Sequence, residues 1–247
     1  MSSEANALRG KRYFVSGGTS GIGLGIAARL HALGAAVVLN GRDPDRAAAA
    51  AARLSPEGER VETLCADVRD ADALGEALSG AFDGAVLAAA GNFVASAETL
   101  SPGGFRAVVD IDLMGTFNVA RALVSRLTPE ASLLVVSAPQ AARPMQGQSH
   151  VSAAKAGVEA LARSLALEWG PKGIRVNIVV PGAVAGTEGV ERLLGSEEAT
   201  RAFANRLPLR RLGRVEDIAD AAAFLLSSRA AYITGATLTC DGGLSLV

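Results

Sequence analysis

Short apolar runs recur along the chain, each closed by a glycine- or proline-marked turn and followed by a stretch with helical periodicity. Arg12-Tyr13-Phe14-Val15, Ala36-Val37-Val38-Leu39, Val61-Glu62-Thr63-Leu64-Cys65, Gly84-Ala85-Val86-Leu87-Ala88 and Ser132-Leu133-Leu134-Val135-Val136 read as strands. Ile174 to Val180 and Ala236 to Cys240 read as two more. Between them the periodicity predicts helices ending near Leu33, from Asp43-Pro44 to about Leu54, from Asp70 to Leu78, from Ser101-Pro102 onward, from Ser152 to Trp169 and from Val215 to Leu226. Gly186 to about Leu207 reads as an insertion with helical patches. Unbroken strand–helix alternation means an α/β fold, a parallel sheet covered by helices on both faces. No linker, repeat or low-complexity tract interrupts it, so residues 1–247 are expected to form a single domain.

Two of the helical faces carry a charge among apolar residues. Phe105, Val108 and Asp112 stand at i, i+3 and i+7, and Val119 and Leu123 continue their stripe. Lys155 shares a face with Val158, Ala162, Leu165 and Trp169. A lone charge on a buried face is costly, whereas two opposite charges offset each other. Asp112 and Lys155 are therefore expected to meet. The alternative is that one or both snorkel to the surface.

Composition narrows the partners. A net charge of -1, with no run of like charges, argues against nucleic acid and against an anionic membrane surface. An apolar share of 49% supplies a sizeable core. Two cysteines, Cys65 and Cys240, suggest no disulfide framework, and each is expected to pack as a small apolar group in a strand. The start, Met1 to Asn6, is polar and lacks a signal-peptide core, and no apolar run approaches membrane-spanning length. A soluble cytoplasmic protein with no metal is the expectation.

The first strand runs directly into Ser16-Gly17-Gly18-Thr19-Ser20-Gly21-Ile22-Gly23 and then a helix. Strand, glycine turn and helix together make a dinucleotide fingerprint. Gly17, Gly21 and Gly23 let the backbone approach a pyrophosphate, and the helix start beside Thr19, Ser20 and Ile22 offers N–H groups and a favourable dipole. After the second strand, Asn40-Gly41-Arg42 places a cation where an acid would accept the ribose hydroxyls of NAD. Arg42 suits a 2′-phosphate, so NADPH/NADP+ is the expected cofactor.

These motifs, with Asp67-Val68 after the third strand, Ala90-Gly91 after the fourth, Pro181-Gly182 after the sixth and Asp241-Gly242-Gly243 near the end, resemble the short-chain dehydrogenase/reductases over essentially the whole chain. The resemblance implies a Rossmann, doubly wound, seven-stranded sheet in the order 3-2-1-4-5-6-7, and a homotetramer. It implies that Asp67 and Val68 lie at the adenine and that Ala90, Gly91, Pro181 and Gly182 line the cofactor. It also implies that Lys155 binds the nicotinamide ribose and Thr187 the carboxamide or pyrophosphate. The departures carry more information. The family's Tyr-x-x-x-Lys reads Val151-Ser152-Ala153-Ala154-Lys155, its serine falls near Ala138 beside Ser137, and its helix asparagine is Asp112. Tyr13 and Tyr232 are not placed in sequence to replace the tyrosine.

Ala88-Ala89-Ala90-Gly91-Asn92-Phe93, Asp110-Ile111-Asp112, His150 five residues before Lys155, Glu168-Trp169-Gly170-Pro171 and Pro181 to Gly189 resemble the peroxisomal-type 2,4-dienoyl-CoA reductases, which use an aspartate–lysine pair. That branch implies NADPH-dependent reduction of a conjugated dienoyl-CoA thioester. Asp112, ionised beside Lys155, would hold a water that delivers the proton. His150, whose side-chain type titrates near neutrality, is a candidate direct donor, the alternative being a polar cap at the helix start. Asn92 and Phe93 are candidate substrate contacts. Two other readings stand beside it: reduction of another activated alkene, imine or carbonyl, or a non-catalytic NADPH-binding protein.

Overall fold

The computed structural model describes residues 7–247, and the polar Met1–Asn6 start lies outside them. Seven strands, β1 (Arg12–Ser16), β2 (Ala36–Gly41), β3 (Val61–Cys65), β4 (Phe82–Leu87), β5 (Leu127–Val136), β6 (Arg175–Pro181) and β7 (Thr237–Cys240), form one sheet in the order β3-β2-β1-β4-β5-β6-β7. Every pairing is parallel. The central strands are apolar without alternation because both faces are covered. One core joins Phe14, Leu87, Leu133 and Ile178 to α3 (Ala71–Ala77), α5 (Gly115–Leu123) and α6 (Ser149–Trp169). The other joins Val15, Leu39, Leu134 and Val179 to α1 (Gly21–Ala32), α2 (Pro44–Leu54) and α9 (Val215–Leu226). The strand order reverses between β1 and β4, the point where doubly wound sheets open a crevice at the carboxyl ends of their strands.

Local chemistry sets the helix starts. Asp43 accepts from the N–H groups of Asp45 and Arg46 ahead of Pro44, and Asp70 and Ser101 cap α3 and α4 (Pro102–Val109) in the same manner. The insertion folds as α7 (Glu188–Leu194) and α8 (Glu197–Arg206). Among the described residues no helix is long and apolar enough to cross a membrane.

Three local expectations change. Phe105 leaves the expected stripe and is 38% exposed. Its helix is not one straight α-helix: Asp110–Met114 is a π-helical turn between α4 and α5. The wider turn brings Asp112 into line with Val108 rather than Phe105. Helix α6 begins at Ser149, three residues early, because His150 and Val151 are buried and tertiary packing draws them into the first turn. Cys65 is exposed rather than packed, since β3 is an edge strand, and Cys240 is half-buried; both thiols are free.

Candidate functional site

Asp112 and Lys155 do meet. Lys155 Nζ lies 3.1 Å from Asp112 Oδ2, with the side chains 8% and 0% exposed. The π turn delivers the carboxylate, and the second turn of α6 delivers the ammonium. Two backbone groups hold the pair. Gly91 N–H donates to Asp112 Oδ1 at 2.7 Å, and Lys155 Nζ donates to the Val136 carbonyl at 3.2 Å. Oδ2 faces the ammonium at ion-pair distance but accepts no aligned hydrogen bond from a protein group among the described residues. One carboxylate oxygen thus accepts a backbone N–H, and the other keeps acceptor capacity for a water or ligand. Thr116 Oγ1 donates to the Asp112 carbonyl at 2.5 Å, satisfying a backbone group at the π turn. Removing one member of such a buried pair typically costs about 3–5 kcal/mol.

His150 is fully buried, and its ring nitrogens have no hydrogen-bond partner among the described residues. It stands in the first turn of α6, whose cap residue is Gln148, so the polar-cap role does not hold. Its ring lies 4.5 Å from the Phe93 ring. Asn92, beside Phe93, accepts from Gln148 Nε2 at 3.3 Å. The loop after β4 therefore joins Asp112, His150 and the two candidate substrate residues. Val151 is buried against Val108 and Ala154. Ser137, next to Ala138, donates to Glu159 Oε1 at 2.8 Å. Tyr13 is buried in β1, at the end of the strand away from the glycine turn, and Tyr232 is fully exposed.

The glycine turn fits a dinucleotide. Gly17 has φ +65°, and a Cβ there would stand 2.8 Å from the Ala89 backbone nitrogen. A Cβ on Gly23 would stand 2.2 Å from the Gly17 carbonyl oxygen. Both close approaches fold the turn onto the start of α1, where Ser20 makes no capping hydrogen bond with its side chain, so the helix N-terminus suits an anion. Thr19 packs over Gly41, Ile22 packs against the core below, and Ser16 Oγ accepts from Ala88 N–H. Asn40 spends its Nδ2 on the Leu64 and Ala66 carbonyls, locking the end of β2 to the β3 loop. Arg42 is exposed, 4.0 Å from Asp67 Oδ2. Arg69 grips Asp67 at 2.6 Å, and that hydrogen bond holds the carboxyl below the ordinary carboxylate range. Val68 is buried and its carbonyl accepts from Asn118. Ala90 lies between the Ser16-anchored Ala88–Ala89 backbone and Gly91. Across the crevice, Pro181 ends β6, and Gly182 packs so closely on Asp241 that a Cβ would come within 2.6 Å of Asp241 Cα. Thr187 precedes α7 and donates its hydroxyl to the Val184 carbonyl at 2.7 Å.

The fold thus gathers the predicted residues into two adjoining places: the turn, Arg42 and Asp67 in one, and Asp112, Lys155, His150, Asn92 and Phe93 in the other. Sequence reading missed the Gly91 clamp on Asp112 and the buried Gln140 and Gln148. Loop amides carry no periodic signal. Thr116, four residues after Asp112, was the one available hint of a perturbed helix turn. Among the described residues no group of three or more His, Cys, Asp or Glu could hold a metal.

Sheet order, glycine turn and buried lysine define a nicotinamide-type Rossmann oxidoreductase, and comparison with known proteins agrees. The chain matches the family described as enoyl-(acyl carrier protein) reductase over residues 17–245. It belongs to the short-chain dehydrogenase/reductase family. It is 40% identical to the peroxisomal 2,4-dienoyl-CoA reductase, (3E)-enoyl-CoA-producing, of Saccharomyces cerevisiae, over 96% of this chain and 84% of that protein. It is 39% identical to the probable 2,4-dienoyl-CoA reductase, (2E)-enoyl-CoA-producing, of Bacillus subtilis, over 94% and 96%. Among solved structures, a gluconate 5-dehydrogenase from Burkholderia cenocepacia, in complex with NADP and tartrate, superposes with a TM-score of 0.90 at 27% identity, covering 99% of this chain and 98% of that one.

Proposed function

We propose that the protein reduces a conjugated 2,4-dienoyl-CoA thioester, with NADPH as cofactor and without the tyrosine usual in its family. The observation that carries this reading is the buried Asp112–Lys155 pair, in which Asp112 Oδ2 faces the ammonium but accepts no aligned hydrogen bond among the described residues. Relatives at about 40% identity bearing the dienoyl-CoA reductase name support the substrate class.

Gly17 to Gly23 and the start of α1 would hold the pyrophosphate, Arg42 the 2′-phosphate, Asp67 and Val68 the adenine, and Lys155 and Thr187 the nicotinamide half. Ala90, Gly91, Pro181 and Gly182 would wall it. NADPH, when bound, supplies the hydride that turns the conjugated thioester into a dienolate. The remaining work belongs to the chain's own residues. Asn92 donates to the thioester oxygen, where charge develops, and a donor already in place there is worth more than one that must reorganise. Asp112 Oδ2 holds a water that protonates the α carbon, and Lys155 fixes that carboxylate. His150 stands beside Phe93 as a second proton source for the water. Val151 offers no acid, so a ketone would find no proton donor at the tyrosine position.

The test is NADPH oxidation with 2,4-hexadienoyl-CoA and with a 3-ketoacyl-CoA. Turnover of the first and not the second is expected, with a (3E)-enoyl product from protonation at the α carbon. Ketone reduction without dienoyl reduction would sink the proposal, and a (2E) product would move the protonation site.

A further inference from the structure

Two buried carboxamides have no part in the reaction as proposed. Gln140, in the short helical turn after β5, is 7% exposed, and Gln148, the residue capping α6, is 1% exposed. Gln140 Nε2 donates to Gln148 Oε1 at 2.6 Å, and Gln148 Nε2 donates to Asn92 Oδ1 at 3.3 Å. Buried amides cost free energy unless they are paired, and apolar side chains could fill the same space without that demand. The chain of amides has a direction, each nitrogen donating to the next oxygen, and it ends at Asn92.

Asn92 is the middle of a tripeptide whose members each touch a different part of the site. Gly91 N–H donates to Asp112 Oδ1, Asn92 accepts from Gln148, and the Phe93 ring lies beside His150. The segment has no regular secondary structure, so no ladder of backbone hydrogen bonds holds it. Its side-chain anchors therefore decide where it sits. The anchor also selects an orientation. With Oδ1 turned to Gln148, the Asn92 nitrogen, which carries two N–H donors, is turned away from it. A reversed amide would bring nitrogen against nitrogen.

We propose that Gln140 and Gln148 are positioning residues, which fix residues 91–93 through Asn92 and so set the Asn92 amide and the Gly91 clamp on Asp112 in register. This rests on the roles given above to Asp112 and Asn92. The experiment compares Gln148→Leu, Gln148→Glu, Gln140→Leu and the Gln140→Leu/Gln148→Leu double variant. The readouts are amide hydrogen exchange at residues 91–93, kcat and KM on 2,4-hexadienoyl-CoA, NADPH Kd and melting temperature. Gln148→Leu should speed exchange at 91–93 at least tenfold and lower kcat at least tenfold, with NADPH Kd within twofold of native, because the glycine turn and Arg42 are held by other contacts. Gln148→Glu should keep the loop tethered, since a carboxylate accepts from Gln140 and from a reversed Asn92 amide. Exchange then stays native while kcat falls. The double variant should be no slower than Gln148→Leu, because the amides act as one unit. Native kcat, or native exchange at 91–93, in folded Gln148→Leu overturns the proposal. If Gln148→Leu does not fold, Gln148→Glu and Gln140→Leu decide it, and native kcat in both overturns it. If the native protein leaves dienoyl-CoA untouched, the substrate reading fails while the exchange measurement still decides the relay.

Discussion

At the scale of single residues, Asp112 separates charge from shape. Asp112→Asn keeps the side-chain volume and can still accept from Gly91 N–H, but it removes the charge facing Lys155. Turnover should fall at least tenfold, about 1.4 kcal/mol or more in the barrier, with NADPH affinity little changed. A native rate in stopped-flow assays would leave the carboxylate only a structural partner for Lys155. Arg42 is exposed and stands 4.0 Å from Asp67, so it is placed to exchange that weak contact for a phosphate. Arg42→Ala should cost about 1.5–3 kcal/mol of NADPH binding and leave NADH nearly untouched, as fluorescence titration of both cofactors will show. Tyr13 gives a pH prediction. Burial, with Asp83 nearby, pushes its phenol up to about 12, against about 10 in an unfolded chain. The folded state binds the proton more tightly, so this stabilisation is whole below about pH 10 and is lost as pH rises towards about 12. Denaturant titrations across that window should lose about 2–3 kcal/mol, and Tyr13→Phe should flatten the slope.

At the scale of elements, helices set the distances that the site uses. The α1–α9 contact is close enough that a Cβ on Gly25 would stand 1.9 Å from Val215 Cγ1. Gly25→Ala must displace the Val215 side chain at the start of α9, which packs against the helix whose N-terminus faces the glycine turn. Overpacking of this kind costs about 1–3 kcal/mol. A lower melting temperature together with weaker cofactor binding is expected; an unchanged Kd would show that the turn does not depend on α9. Helix α9 is itself fixed at its start by Asp217, which accepts from Arg211 and from Arg214 N–H. The Arg211 hydrogen bond, ahead of the other causes, holds the Asp217 carboxyl well below the usual range. Its folded-state affinity for a proton is reduced, so this contribution is present above about pH 4 and disappears as pH falls further. The π turn is the other element-scale device. It inserts a residue where Asp112 must point inward, the kind of local irregularity often found at functional sites.

For the molecule as a whole, α4 and α5 leave Phe105, Phe117 and, in the π turn between them, Met114 partly exposed, and the outer face of α6 shows Ala153, Ala156 and Ala160. Apolar surface of this kind is usually covered by a partner, and the homotetramer that the family resemblance implies would cover it with further copies of the chain. Light scattering should give about four times the 25.0 kDa chain mass, and Phe117→Asp should yield smaller species. A monomer at micromolar concentration would contradict this.

Much of the fold was legible because its causes are local or periodic. Both-face-buried strands read as unbroken apolar runs, and the caps at Asp43, Asp70 and Ser101 mark helix starts by chemistry within four residues. The Asp112–Lys155 pair was legible for a related reason: a charge repeated on an apolar face needs an opposite charge to offset its burial. The tertiary structure alone decided how the pair is held. The Gly91 N–H, the Val136 carbonyl and the amides of Gln140 and Gln148 come from separate loops and a strand end, and no spacing in the sequence records their approach. It also decided that Phe105 faces outward, because a π turn changes the angle per residue that the stripe assumed. His150 joined α6 because burial of the first turn outweighs weak capping at Gln148. Residue types and their periods set what must be buried and where chains turn, while the contacts between loops, which have no period, set the chemistry within reach of the pair.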